Sequence, residues 1–328
     1  MIFCKKTLTA SLAVMTLSMP LAYAQDQVSK EQSLGQMHII VPYAAGGTSD
    51  VLGRKLAQKL SDRLGQPVVV ENRAGAGGSI GTQATVRSNP DGSTILLHSG
   101  AIATEPAIQK NLPYDATKDL RAITTVVRGP FALVVSNNLP VENVEQLLAY
   151  AKENPGKVNF GTPGVGTSVH FASEHFNAAA NTKMTHVPYR GASAALAGLM
   201  GDEVQLVIDP LSTAKRYAEA GKIKALGLTT AQRSELWPGM NTVSEAGLPD
   251  FDASVWYGLY VPAKTPTETV ERLNAEFLAI LQDPEMREWL SEQGLEPVGD
   301  SAAESQAFLV KEIENWKALA ESAGISIE

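Results

Sequence analysis

Six loops in this chain place glycine, hydroxyl or charged residues directly after a short apolar run. His38–Val41 is followed by Pro42-Tyr43-Ala44-Ala45-Gly46-Gly47-Thr48-Ser49-Asp50, and Val68–Val70 by Glu71-Asn72-Arg73-Ala74-Gly75-Ala76-Gly77-Gly78-Ser79. Leu97 leads to His98-Ser99-Gly100, and Phe160 to Gly161-Thr162-Pro163-Gly164-Val165-Gly166-Thr167-Ser168. Val187 leads to Pro188-Tyr189-Arg190-Gly191-Ala192-Ser193, and Ile208 to Asp209-Pro210. Several of these combine glycine with serine or threonine just before a helix. A helix start carries unpaired backbone N–H groups and a partial positive charge, and adjacent hydroxyls add donors, so the chemistry on offer is anion binding. Any one such loop is accounted for by an N-cap and a glycine turn. Their recurrence in both halves of the chain raises the anion reading.

Catalytic readings fare worse. Gly77-Gly78-Ser79-Ile80-Gly81 has the letters of a nucleophile elbow, which would make an exported serine hydrolase using Ser79. An elbow serine sits in a sharp turn straight off a strand, whereas Gly- and Ala-rich residues intervene here after Glu71, and no histidine follows His186 to complete the order. Gly75-x-Gly77 lacks the third glycine of a dinucleotide fingerprint, since Ile80 stands there. His170 and His175 are five apart and point to different helix faces, so no shared metal is expected from them. His98 is open to a structural or a ligand-touching role. Asp209, closing an apolar strand, needs a partner: a protonated ligand group, a bound water, or the start of the next helix. No general acid, base and nucleophile can be assembled, and neither cofactor nor metal is expected.

These loops must be positioned by the elements around them. From His38 on, apolar runs (Thr94–Leu97, Ile123–Val127, Val158–Phe160, Met184–Val187, Val204–Ile208 and Ile223–Leu228 among them) alternate with helical periods such as Val144, Leu147, Leu148 and Ala151. Continuous apolar strands spaced by helices predict an α/β fold with parallel sheets covered on both faces. Phe131–Val135 and Trp256–Val261 lack an obvious covering helix and are expected to pair as strands carrying the chain between two lobes. Thr265-Pro266-Thr267-Glu268 and Ser301-x-x-Glu304 read as capping boxes, and Asp283-Pro284 as a further helix start. Val270, Leu273, Phe277 and Ile280 mark a packing face. The division expected is a lobe of residues 25–130 and 253–328, a second lobe of residues 131–252, hinges at Arg128–Phe131 and Ala253–Trp256, and a ligand in the cleft between them.

The whole chain has 328 residues, with 27 Lys+Arg against 35 Asp+Glu. A net charge of −8 without basic clusters argues against nucleic acid and anionic membrane as partners. Lys5 and Lys6, the apolar run Leu8–Leu17 and the close Ala22-Tyr23-Ala24 read as a cleaved secretory signal over residues 1–24. That run is about half the ~20 residues needed to span a bilayer. Cleavage removes two lysines and the one cysteine, Cys4, and leaves a soluble exported chain of charge −10. An anion must then be attracted locally rather than by the overall field.

Pro42-Tyr43-x-x-Gly46-Gly47-x-x-Asp50, Glu71-Asn72-Arg73-x-Gly75-Ala76-Gly77-Gly78, Pro90-Asp91-Gly92 and Val187-Pro188-Tyr189-Arg190-Gly191 resemble the periplasmic solute-binding receptors of tripartite tricarboxylate transporters, the Bug-type proteins. Their order and spacing hold over essentially the whole mature chain. The resemblance implies a type II periplasmic binding-protein fold, two Rossmann-like lobes with a hinged cleft, and a monomer that hands a carboxylate to membrane transporter subunits. It also implies ligand contacts from Tyr43, Gly46, Gly47, Thr48 and Ser49 and from Gly164, Val165, Gly166, Thr167 and Ser168. The same reading adds Ala76, Gly77, Gly78, Ser99, Arg190 and Asp209 to the candidate site. Tyr43 departs from the family's common Phe, and Ser93 stands where an aromatic often follows Pro-Asp-Gly. Within the family the chain is most similar to terephthalate-binding members, and Tyr43, Tyr189, Trp256 and Tyr257 are the aromatic residues that can offer a flat surface. A sensory module reporting to a membrane receptor shares the same binding physics and stays open at this level.

Overall fold

The structure, a computed structural model, describes residues 1–2, 36–109 and 111–323. The signal-peptide reading over residues 1–24 lies almost wholly outside them. The first half of the chain forms β1 (Met37–Val41), α1 (Thr48–Leu64), β2 (Val68–Asn72), α2 (Ser79–Val86), β3 (Thr94–Ser99), α3 (Ala101–Ile108), α4 (Ala116–Asp119), β4 (Leu120–Val135) and α5 (Val144–Glu153). A central run follows: β5 (Asn159–Thr162), α6 (Ser168–Ala179), β6 (Thr185–Pro188), α7 (Ala192–Met200), β7 (Leu206–Pro210), α8 (Leu211–Glu219) and β8 (Lys224–Leu228). The chain closes with β9 (Ser254–Pro262), α9 (Thr267–Gln282), α10 (Pro284–Glu292), β10 (Glu296–Pro297) and α11 (Ala302–Ala323).

Continuous apolar strands are explained by where their two faces go. In β1, Ile39 and Val41 join a core with Leu52, Leu56 and Phe277, while Ile40 between them joins one with Leu96, Trp256 and Leu309. In β4, Phe131, Leu133 and Val135 face one core, and Ala132 and Val134 the other. Both faces are buried, so no polar alternation is needed.

The sheet order is β2-β1-β3-β9-β4-β7-β5-β6, with β8 and β10 also pairing β4. The sheet is mixed, which corrects the expectation of parallel pairing throughout. β1 runs parallel to β2 and β3, and β5 to β6 and β7, but β9 is antiparallel to β3 and β4, and β4 to β7 and β8. The runs Ile123–Val127 and Phe131–Val135 are one 16-residue strand. Its Leu120–Pro130 stretch pairs with β9, while Phe131–Val135 pairs with β7 and β8. Trp256 therefore sits opposite Arg128, and the expected pairing of Phe131–Val135 with Trp256–Val261 is replaced by this handover. Pro130, which has no N–H to give, falls where β4 changes partners and no regular ladder bond is lost.

Two of the three helix starts read from sequence form as expected. Asp283 accepts from Glu285 N at 3.0 Å, and Ser301 and Glu304 exchange side-chain and backbone bonds. Thr265-x-x-Glu268 does not form a capping box. α9 begins at Thr267 with Pro266 at its N-cap and no side-chain cap, while the Thr265 hydroxyl is buried without a partner.

Candidate functional site

The carboxyl ends of β1 and β3 bring Tyr43, Thr48, Ser49 and Ser99 together. The Tyr43 hydroxyl lies 2.8 Å from Ser99 Oγ and 3.3 Å from His98 Nδ1, and its ring meets the His98 imidazole edge-on. Tyr257 is the β9 partner of Ser99, and its hydroxyl reaches the side chains of Thr48 and Ser49. Gly46 (φ 88°) turns the chain so that its N–H donates to Asp50 Oδ2 at 2.9 Å. That bond, with the guanidinium of Arg54, holds the Asp50 carboxyl below the usual carboxylate range. One of the donors expected for a ligand is thus already used inside the loop. In the first turn of α1 the Asp50 N–H bonds the Gly47 carbonyl at 3.0 Å, while those of Thr48 and Ser49 precede the first intrahelical bond.

Ala76–Gly78 form a single 3-10 turn leading into α2. Gly78 (φ 132°) passes so close to the side chains behind it that a Cβ would stand 2.9 Å from His98 Nε2 and 3.0 Å from Glu105 Oε1. His98 is fully buried and donates from Nδ1 to the Ser99 carbonyl at 2.8 Å. Glu105, also buried, accepts from the Tyr114 hydroxyl. Desolvation pushes His98 down to about 4 and Glu105 up to about 7.

The second cluster lies at the ends of β5 and β6. Thr167 caps α6: its hydroxyl donates to the Gly164 carbonyl at 2.9 Å and accepts from His170 N at 3.2 Å. Gly164 N donates to Thr162 Oγ1, which is 2.6 Å from His186 Nε2. Gly166 N donates to His170 Nδ1 at 3.2 Å, and the His170 and His186 rings stack with centroids 4.1 Å apart. This histidine pair, sixteen residues apart in sequence, supports the glycine loop from below. Burial beside His170 pushes His186 down to about 4. The nitrogens of His170 and His186 and a carboxylate oxygen of Glu174 lie within 4.8 Å of one another, close enough to share a small cation. The geometry opposes it: the rings stack face to face, and the Gly166 bond leaves the His170 proton on Nε2, the atom that faces Glu174.

Ser168 brings the start of α6 beside the start of α3. With Gly100, Thr104 and Trp256 it lines a cavity of about 10 Å³, the size of a single water. Arg190 is exposed beside Gly191, whose N–H bonds the Pro163 carbonyl. Arg73 is occupied by Glu71 through Nε and a terminal nitrogen, at 3.0 and 2.8 Å. Asp209 is buried at the end of β7 and caps nothing: α8 starts at Leu211 with Pro210 at its N-cap and no side-chain cap. Its Oδ2 has no partner, and desolvation pushes the acid up to about 7. Of the aromatic candidates, Trp256 and Tyr257 are buried in the core and the Tyr189 hydroxyl turns to Glu203, leaving Tyr43 beside the loop. Ser79 opens α2 behind the 3-10 turn rather than standing in a strand-to-helix elbow.

Sequence reasoning singled out the glycine loops but missed Glu105, Tyr114, His186 and the support role of His170. Glu105 had a usable signal: it is the one charged residue in Ala101–Ile108, and an ionisable group in so apolar a helix is rarely buried without purpose. The histidine pair had none, because His186 lies on β6 opposite Phe160 and His170 on α6, and only the packing of α6 over these strands brings them together.

Residues 52–325 match the tripartite tricarboxylate transporter family receptor. The chain is 33% identical to Protein BugT of Bordetella pertussis over 294 residues, 89% of this chain and 90% of that protein. Among solved structures it is similar to R. palustris Rpa4515 with adipate, at 33% identity and a TM-score of 0.75, covering 89% of this chain and 98% of that one. It is also similar to MatC from Rhodopseudomonas palustris with bound malate, at 26% identity and a TM-score of 0.70, covering 87% and 98%. The fold is that of periplasmic binding proteins.

Proposed function

Because the chain belongs to the tripartite tricarboxylate transporter receptor family, we propose that it is a periplasmic, non-catalytic receptor that captures a small carboxylate and delivers it to a membrane transporter. The observation that carries this reading is that the α6 start at Ser168 and the α3 start at Gly100 line one small cavity, while Ser99, next to Gly100, bonds Tyr43 of the loop before α1. Helix starts supply backbone donors and partial positive charge to an anion at a place where the chain's overall charge of −8 supplies only repulsion. Relatives of this fold hold adipate and malate, both dicarboxylates. Dicarboxylates are therefore the ligand class, with one carboxylate at the Tyr43–Ser49 loop and the other at Gly164–Ser168. Tyr43 is the wall against which an aromatic dicarboxylate such as terephthalate would lie.

In this reading residues 25–130 with 253–328 and residues 131–252 are the two lobes, and β4 and β9, side by side at Arg128 and Trp256, are the crossing that bends. A carboxylate touching both lobes favours the closed form by its differential contacts. No helix among the described residues is long and apolar enough to cross a membrane, which agrees with a receptor that works beside its transporter.

The test is a thermal-shift screen of adipate, malate, terephthalate and monocarboxylate controls. A ligand that binds only the folded state adds about 2.7 kcal/mol of stability at 100 times its Kd, and is recovered chemically unchanged. A screen in which no carboxylate stabilises the protein rejects the proposal, and turnover abolished by Ser79→Ala would replace it with the hydrolase.

A further inference from the structure

The Gly77-Gly78 turn rests on two buried polar atoms that lack hydrogen-bond partners. His98 Nε2 and Glu105 Oε1 are 3.7 Å apart, too far for a hydrogen bond, and neither atom has another partner. Both side chains are almost completely buried, His98 at 0% and Glu105 at 3% exposure. The other ends of both groups are committed. His98 Nδ1 gives its proton to the Ser99 carbonyl, so Nε2 presents a lone pair. Glu105 Oε2 accepts from Tyr114, so Oε1 is the atom left to carry a proton or a charge. Ionised, Glu105 would put an unpaired negative charge beneath the loops to which the ligand's carboxylate comes; protonated, its O–H points at an acceptor.

We propose that Glu105 and His98 act as a proton-holding pair under the Gly77-Gly78 turn, so that the site takes up its anionic ligand together with one proton. The inference rests on the carboxylate-receptor reading of this site. The proton comes from solvent to Glu105 Oε1, which shares it with His98 Nε2 after a small rotation, and no covalent bond changes. An anion at Tyr43 and Ser99 lies one side chain away from Glu105, the Tyr43 hydroxyl being bonded to Ser99 and close enough to Glu105 to feel its charge. Burial already raises Glu105 to about 7, and a second negative charge nearby raises it further, so binding above neutrality draws in a proton. An ionised Glu105 left in place would repel the ligand.

The groups facing Glu105 are few. β3 presents His98, the segment before α4 presents Tyr114, the loop after β1 presents Tyr43, and α2 presents Thr82 to Tyr114. The turn before α2 offers glycine main chain, and α6 meets α3 through Phe171. On α11, Glu312 is taken by the indole N–H groups of Trp256 and Trp316. Glu314 and Lys317 line a separate groove with Asp115 and Lys118, beyond Tyr114. No cation reaches Glu105 among these groups, so a proton is what neutralises it.

Adipate and terephthalate are the probes; terephthalate is a dianion throughout pH 6 to 9, and adipate from about pH 7 upward. Isothermal titration in two buffers of different ionisation enthalpy reads the protons taken up per ligand bound. The expected result is uptake that rises from near zero at pH 6 towards one at pH 8 to 9, with Kd weakening up to tenfold per pH unit at the top of the range. Glu105→Gln is expected to abolish the uptake and flatten the profile. Binding without proton uptake by the unmodified protein overturns the proposal, as does a Glu105→Gln protein that still takes up a proton. Should neither probe bind, the receptor reading is at fault, and the ligand-free protein decides the pair by infrared spectroscopy. A carboxylic-acid carbonyl band at pH 6, absent in Glu105→Gln and lost as pH rises, supports it. Absence of that band in the unmodified protein overturns it.

Discussion

Replacing Asp209 by Asn is expected to stabilise the protein in mild alkali and to do little in acid. The Asp209 carboxyl is 2% exposed, its Oδ2 has no partner, and desolvation lifts it from 3.8 to about 7. The unfolded chain releases this proton above pH 3.8, whereas the folded chain keeps it until about 7. Stability from this group is therefore complete below pH 3.8 and declines as pH rises to 7. Each pH unit of that gap is worth about 1.4 kcal/mol, so by pH 8 the cost reaches about 4 kcal/mol. Asparagine has the shape of the neutral acid and escapes the cost, less about 1–3 kcal/mol if its amide finds no acceptor. The net gain expected at pH 8 is about 1–3 kcal/mol, and at pH 4 the same substitution should be neutral or destabilising. Urea denaturation of both proteins at pH 4, 6 and 8, followed by far-UV circular dichroism, measures the difference and cancels the titration of all other groups. A gain that does not grow with pH would refute the reasoning and mean that Asp209 is ionised in the fold, against a partner brought by ligand or solvent.

Gly78→Ala is expected to cost about 1–3 kcal/mol, since the new Cβ meets His98 Nε2 at 2.9 Å and the backbone sits at φ 132°, where residues with a Cβ are strained. Unchanged stability in urea denaturation would show that the turn relaxes freely. Thr167→Ala should cost about 1 kcal/mol of stability through the lost α6 cap, and should weaken carboxylate binding because Gly164 is no longer tied down. Arg73→Ala should leave binding nearly intact, because the guanidinium is already engaged by Glu71. Titration calorimetry that finds the reverse order would replace the helix-start account with a guanidinium clamp.

What could be read from the sequence follows from how local its cause was. Ile39, Ile40 and Val41 sit in a continuous apolar run because both faces of β1 are covered, and that is visible in five residues. The Ser301 capping box closes on itself within four residues and forms as read. The Thr265 box has the same pattern but does not form: its Thr265 N–H is taken by the Pro262 carbonyl at 2.9 Å, and Arg121 from β4 bonds the Thr265 carbonyl and the Thr267 hydroxyl. Strand direction was misread for a similar reason: the antiparallel placing of β9 is set by where the chain returns after residue 252. In the site, the glycine loops were legible because each is a short segment with its own turn chemistry. Glu105 and the stacked histidines were not, since their roles depend on partners contributed by other elements.

The position of β9 has a consequence for how the chain comes into being. β9 lies between β3 and β4, with Leu96 opposite Tyr260, so that part of the sheet has a gap at its centre until residue 262 exists. α11, which buries Leu309 and Ile313 against the same layer, arrives later still. β5, β6 and β7 with α6 and α7, by contrast, lie within residues 159–210 and can assemble by near-neighbour contacts. Pairing over such sequence distances is slow, because the loop must close before the contacts reward it. A growing chain therefore cannot join β3 to β4 until residue 262 has been made, and truncation ahead of β9 removes the keystone rather than an ornament.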